Sequence, residues 1–139
     1  MQQFIKLNKK IKYFIRFRTR VPKRKKKNSQ NYLKNKGKAL EIVVNRIEYF
    51  NKFYNYKWNR IFIKNQKTRW GSCSKAGNLN FNYKIALLPS KTADYIIVHE
   101  LCHLKEFNHS SDFWNLVAKT IPDFKEIRKE LKNNKFTLN

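Results

Sequence analysis

His99-Glu100-Leu101-Cys102-His103-Leu104-Lys105-Glu106-Phe107-Asn108-His109 contains all three histidines of a 139-residue chain, at relative positions 0, 4 and 10. Residues four apart on an α-helix project from the same face, one turn apart, so His99 and His103 can present two imidazole nitrogens to one metal ion. The third has to come from beyond that helix. The stretch from His103 to His109 leaves room for the helix to end and the chain to turn back, and Asn108 tolerates the left-handed backbone that such a turn often uses. Glu100 directly follows the first histidine, which puts its carboxylate beside the pair but off the ligand face, where it can take a proton from metal-activated water. This is the H-E-x-x-H arrangement of zinc hydrolases. The alternative is an apolar helix, Tyr95-Ile96-Ile97-Val98, that buries two core histidines. A third histidine at a fitting distance favours the metal.

Working outward, Leu88-Pro89-Ser90 closes the preceding region, with Ser90 as helix cap and Asp94 in the first turn of a site helix expected to run to about Phe107. Ser110-Ser111-Asp112 reads as the next cap, ahead of Phe113, Trp114, Leu116 and Val117 at helical spacing. Pro122 opens a last helix through about Lys132. Upstream, Leu40, Val43, Val44, Ile47, Phe50 and Tyr54 recur every three or four residues, which predicts one amphipathic helix from about Gln30 to Tyr54. Asn59 to Lys64 alternates as a short strand, Thr68 to Ser74 is another, and Lys75-Ala76-Gly77-Asn78 is a turn before Leu79-Asn80-Phe81-Asn82. The order predicts an α+β fold: a small, mainly antiparallel sheet packed on helices.

The formal charge is +23, but residues 1–38 hold 15 Lys or Arg and no acid, so most of the excess belongs to an N-terminal arm. Ile11, Tyr13, Ile15 and Phe17 alternate with basic residues as in a short strand, and the run Lys23-Arg24-Lys25-Lys26-Lys27 favours a solvated, extended linker. The arm reads as a solubilising linker, as a contact for nucleic-acid phosphates without sequence preference, or as both. The domains expected are a basic segment, 1–37, and a folded domain, 38–139. Two cysteines, Cys73 and Cys102, build no disulfide framework. Cys102 is either a small core residue or a fourth ligand, and the core role is the commoner one. No stretch is long and apolar enough to span a bilayer and no signal-peptide core is present, so a soluble protein of the cytoplasm is expected.

Several pieces together resemble the YgjP-like family of zinc metallopeptidases, relatives of the SprT and Wss1-type proteases within the zincin group. They are Thr68-Arg69-Trp70-Gly71-Ser72-Cys73-Ser74, Leu79-Asn80-Phe81-Asn82, Asp94-Tyr95, the His99 to Leu104 motif, Asn108-His109-Ser110 and Phe113-Trp114. The resemblance implies a zincin-like fold with His99, His103 and His109 as ligands of Zn²⁺, Glu100 as catalytic base, and a protein or peptide substrate. It also implies that an edge strand at Leu79, Asn80, Phe81 and Asn82 pairs with the substrate backbone. Where longer members carry a β-rich region, this chain has its basic segment. Metzincins share the ligand spacing but have Gly seven residues after the first His, where Glu106 stands here. Glu106 is therefore either a solvated last-turn residue or one that orients a ligand.

The reaction expected is peptide hydrolysis by metal-activated water with Glu100 as base; Arg69, Asn108 and Tyr83 are alternative second donors to the oxyanion. The rival is a nucleic-acid-associated binding module with a structural zinc, and a protease recruited to DNA by its arm combines the two. Trp70 and Trp114 read as core residues.

Overall fold

The computed structural model describes residues 26–133, 136 and 138. The strand expected near Ile11 to Phe17 lies outside them. Helix α1, Lys26–Tyr54, buries the expected stripe, with Val43 and Ile47 at 0% exposure and Tyr54 the most open at 8%. It starts four residues earlier than its apolar spacing indicates, inside the run of like charges. Of that run only Lys26 and Lys27 are described, and both are helical; the rest lies outside the described residues.

Strand β1, Arg60–Lys64, turns Ile61 and Ile63 inward. Strands β2, Gly71–Cys73, and β3, Asn78–Asn82, form a hairpin whose turn is closed by the Gly77 amide donating to Ser74 O at 2.9 Å. Gly77 sits at φ +74°, a conformation that costs a glycine little. The strand order is β1-β3-β2, with β3 parallel to β1 over five residue pairs and antiparallel to β2 over three. The sheet is therefore mixed, where a mainly antiparallel one was expected. The longer pairing joins strands separated by a chain excursion, which local alternation does not register.

The assignment of Leu79 to Asn82 as an edge strand is corrected as well. These residues form the central strand, bonded on both sides and no more than 7% exposed, so a substrate has no access to their backbone. Beside α2 the edge is β2. The asparagines of β3 fit a central position because they are small and find partners. Asn82, at 0% exposure, donates from Nδ2 to Gln66 O at 2.6 Å and Arg69 O at 3.2 Å, and its Oδ1 accepts from the Lys84 amide at 3.1 Å. That last bond caps a 3₁₀ turn, Tyr83–Leu87.

Helix α2, Ser90–Cys102, is buried nearly all round, which its apolar run anticipates. Its cap is Pro89, whose carbonyl accepts from the Thr92 and Ala93 amides at 3.0 Å; Ser90 is the first helical residue and makes no capping bond. Asp94 instead takes a two-pronged bond from Arg46 of α1, at 2.6 and 2.7 Å. Helix α3, Ser111–Ala118, is capped by Ser110 as expected, and α4, Phe124–Lys132, begins two residues after Pro122. Tyr54, the last residue of α1, donates to Leu116 O at 2.8 Å and so ties the long helix to α3. Among the described residues no helix is long and apolar enough to cross a membrane.

Asn82 bridges the central strand to the loop that leads into β2. Replacing it with Ala removes three part-buried hydrogen bonds to the main chain, so Asn82→Ala should lower stability by about 1–3 kcal/mol in chemical denaturation. A change within a few tenths would mean that the loop is held by other contacts.

Candidate metal centre

His99 lies in the last turn of α2 and His103 is its C-cap, still right-handed at φ −65° and ψ −16°. The helix thus ends near His103, short of the expected Phe107, but the one-turn relation between the two imidazoles survives. A short turn follows, with the Lys105 and Glu106 amides both bonded to Cys102 O at 3.0 Å. Asn108 does not use left-handed backbone; Asn55 is the one non-glycine residue with positive φ among those described. Asn108 instead accepts the Ser110 amide at 3.3 Å, turning the chain so that His109 stands just before α3.

The three rings converge. His99 Nε2 is 3.2 Å from His103 Nε2 and 3.1 Å from His109 Nε2, and one nitrogen from each ring lies within 4.8 Å of the others. A tetrahedral zinc with bonds of about 2.0–2.1 Å holds its nitrogens about 3.3 Å apart, so the triad fits such an ion. The outer nitrogens are also engaged. His103 Nδ1 donates to Glu106 O at 2.9 Å, which leaves Nε2 free as a ligand, and Tyr95 Oη lies 3.5 Å from His99 Nδ1. Of the two suggestions for Glu106, the second fits, with the main-chain carbonyl rather than the side chain orienting the histidine.

Aromatic rings fix the planes of the imidazoles. His103 stacks on Phe113 at 4.5 Å and 25°, and His109 stacks on Trp114 at 5.6 Å and 21°. Trp114 is backed by Phe124 at 5.0 Å and 9°, with the Arg128 guanidinium 4.7 Å from its ring centre. Trp114 is half-buried at the site rather than deep in the core, while Trp70 packs against the core from its edge.

Glu100 is buried at 7% exposure, pressed against Gly71 of β2. A Cβ on Gly71 would come 2.7 Å from Glu100 Cγ and 2.8 Å from Oε1, so only glycine leaves room for the carboxylate. Burial pushes this carboxyl from its ordinary 4.5 up to about 8, with the Arg69 guanidinium pulling the other way. Burial, aided by the neighbouring imidazoles and Arg128, drives His99 down to about 3, and the same forces lower His109. A neutral imidazole is what a metal requires.

A cleft of about 280 Å³ opens over these groups, lined also by Arg69, Gly71, Ser72, Cys73 and Phe107. Cys73 faces it, its thiol raised to about 11 by burial and by Glu100. Cys102 is in the core at 0% exposure and outside the histidine cluster, in agreement with its structural role. The sequence assigned no role to Gly71 or Phe107. The Gly71 requirement depends on how close α2 comes to β2, which no local pattern encodes.

Known proteins with related features bear on the chemistry. The family model described as YgjP-like, metallopeptidase domain, matches residues 2–134, across the boundary expected at 37/38. The structure is similar to the metallopeptidase zymogen abylysin of Pyrococcus abyssi, at TM-score 0.60 and 27% identity over 68% of this chain and 97% of that one. It is similar to jannalysin of Methanocaldococcus jannaschii, also a metallopeptidase zymogen, at 0.55 and 27% over 70% and 97%. Wss1 of Saccharomyces cerevisiae, at TM-score 0.52 and 19% identity over 69% and 84%, shares the fold. A comparison with curated protein sequences gives no match.

Two outcomes test the geometry. Trp114→Ala should weaken metal binding about 10–100-fold in a chelator competition, with Trp114→Phe restoring much of it; equal affinities would show that His109 is held without the stack. The second concerns the metal-free protein. With its folded pKa raised, Glu100 contributes stability that is fully present below pH 4.5 and is lost as pH rises towards 8. With its folded pKa lowered, His99 contributes stability present above pH 6.5 and lost as pH falls towards 3. Thermal melts in chelator should therefore show Glu100→Gln gaining on the unsubstituted chain as pH rises from 4.5 to 8. A constant offset between the two would rule out a buried, proton-holding carboxyl.

Proposed function

Because the chain belongs to the YgjP-like metallopeptidase family, we propose that it is a zinc-dependent peptidase in which His99, His103 and His109 hold the ion and Glu100 is the general base. The convergence of three Nε2 atoms beside a buried carboxylate in an open cleft carries this reading. A zinc ion bound by three histidines, with an open fourth position, activates water and polarises a carbonyl.

The chain's own residues do the rest. Glu100 receives the proton of the attacking water and later delivers it to the leaving amine, and a cation held by the three rings would favour the carboxylate form that this step needs. Gly71 sets how close the carboxylate stands to the strand. The exposed edge of β2, Gly71–Cys73, pairs with an extended substrate main chain and lays the scissile bond across the imidazoles. Phe107, 53% exposed at the cleft, is an apolar contact for a substrate side chain. The rival reading, a structural zinc in a binding module, has less support: structural sites are usually closed by four protein ligands, and this one faces a cleft.

The purified protein, free of any histidine tag, should carry about one zinc per chain, as the single three-histidine site implies. His109→Ala should weaken or lose the metal and abolish peptide cleavage. Glu100→Gln should keep the metal and lose cleavage by several orders of magnitude. An active Glu100→Gln protein would remove Glu100 from the mechanism.

A further inference from the structure

We propose that Arg69 is a catalytic residue whose guanidinium donates hydrogen bonds to the oxyanion formed from the scissile carbonyl. This rests on the peptidase reading above and adds to it the group that answers the charge developed on the substrate.

Three side chains were candidates for this donor, and their surroundings separate them. Tyr83 is 3% exposed, with its ring edge-on to Tyr32 at 5.5 Å in the core. Asn108 does not line the cleft. Arg69 lines the cleft together with the three histidines and Glu100. Apart from the histidines it is the only basic residue among those lining the cleft, and among the described residues no carboxylate lies within ion-pair distance of it.

The placement of Arg69 is built into the fold. Asn82, fully buried on β3, holds Arg69 O from Nδ2 at 3.2 Å and Gln66 O at 2.6 Å, while its amide donates to Trp70 O at 2.8 Å. The main chain on both sides of Arg69 is thereby pinned to the central strand. Two residues later, Gly71 touches Glu100. One short segment thus fixes the spacing between the base and a cationic donor, with Arg69 lining the cleft.

The chemistry calls for such a group. As Glu100 takes the proton, the water oxygen bonds to the carbonyl carbon and the C=O π pair moves onto oxygen. Arg69 donates N–H bonds to that oxygen and gives up no proton in the step. When the intermediate collapses the C=O bond re-forms, the C–N bond breaks and the amine leaves with the proton held by Glu100. A donor aimed at charge that exists only in the transition state acts on kcat more than on KM.

The test uses the full chain with its metal content checked, and a neutral peptide substrate without Asp or Glu. Arg69→Ala should lower kcat by roughly 10²–10³ with KM changed little. Metal content and circular dichroism should stay unchanged, because the side chain is exposed. Arg69→Lys should recover part of the rate, and free guanidinium ion should partly restore Arg69→Ala. In calorimetry, a phosphinic peptide that mimics the tetrahedral anion should lose affinity for Arg69→Ala in proportion to kcat/KM, while an uncleaved, uncharged peptide analogue should bind as before. An unchanged kcat, or a loss confined to KM with acidic peptides, would overturn the proposal and make Arg69 a specificity residue. A metal-loaded unsubstituted chain that cleaves no peptide would overturn the peptidase reading itself, and the role of Arg69 with it.

Discussion

The contact between Glu100 and Gly71 sets the distance on which the rest of the site depends. A carboxylate chain lies where a methyl group would otherwise stand, so α2 approaches β2 more closely than any other residue at position 71 would permit. The same approach fixes how high the imidazoles sit above the edge strand, because His99 and His103 belong to the same end of α2. On the far side, α1 braces the assembly through its buried stripe and through the Arg46–Asp94 pair. That pair is part-exposed and adds little energy by itself. Its geometric effect is to lock α1 to the first half of the helix that carries the histidines.

Burial does two things at the site, and they pull in opposite directions. It keeps His99 neutral and available as a ligand, and it holds the proton on Glu100 when the triad is empty. A cation held by the three rings relieves the second effect, since a nearby positive charge favours the carboxylate. Metal binding and the protonation of Glu100 are therefore coupled through electrostatics. The aromatic layer of Phe113, Trp114 and Phe124 contributes by excluding water and by fixing ring planes, so that little ordering remains to be done when a ligand arrives.

What was legible in the sequence follows from how local each feature is. The 0, 4, 10 histidine spacing is carried by eleven consecutive residues, and one helical turn plus a short reversal brings the rings together whatever the rest of the chain does. The α1 stripe was legible for the same reason, through its period, and the Ser110 cap through its position ahead of Phe113. Strand order was not, because β1 and β3 pair across the intervening hairpin strand and alternation says nothing about which neighbour a strand will choose. Leu79 to Asn82 could pass for a half-exposed strand because asparagine reads as polar. Asn82 is in fact fully buried, its amide satisfied by main-chain carbonyls from a loop more than ten residues away. The role of Arg69 was open for a similar reason: three donors were equal on paper, and they part only in the fold, where Tyr83 is buried and Asn108 stands off the cleft.

The bond from His103 Nδ1 to the carbonyl of Glu106 carries a further consequence for how such a chain can drift. A ligand aligned by a carboxylate ties its alignment to the identity of one residue, and a single nucleotide change can abolish it. A ligand aligned by a main-chain oxygen transfers that requirement to the path of the turn between residues 103 and 106. The amino acid at position 106 is then free to vary with little effect on the metal, whereas an insertion or deletion of even one residue in that turn would swing the acceptor away from the ring. Tolerance to exchange and intolerance to a change of length therefore coincide in one four-residue segment.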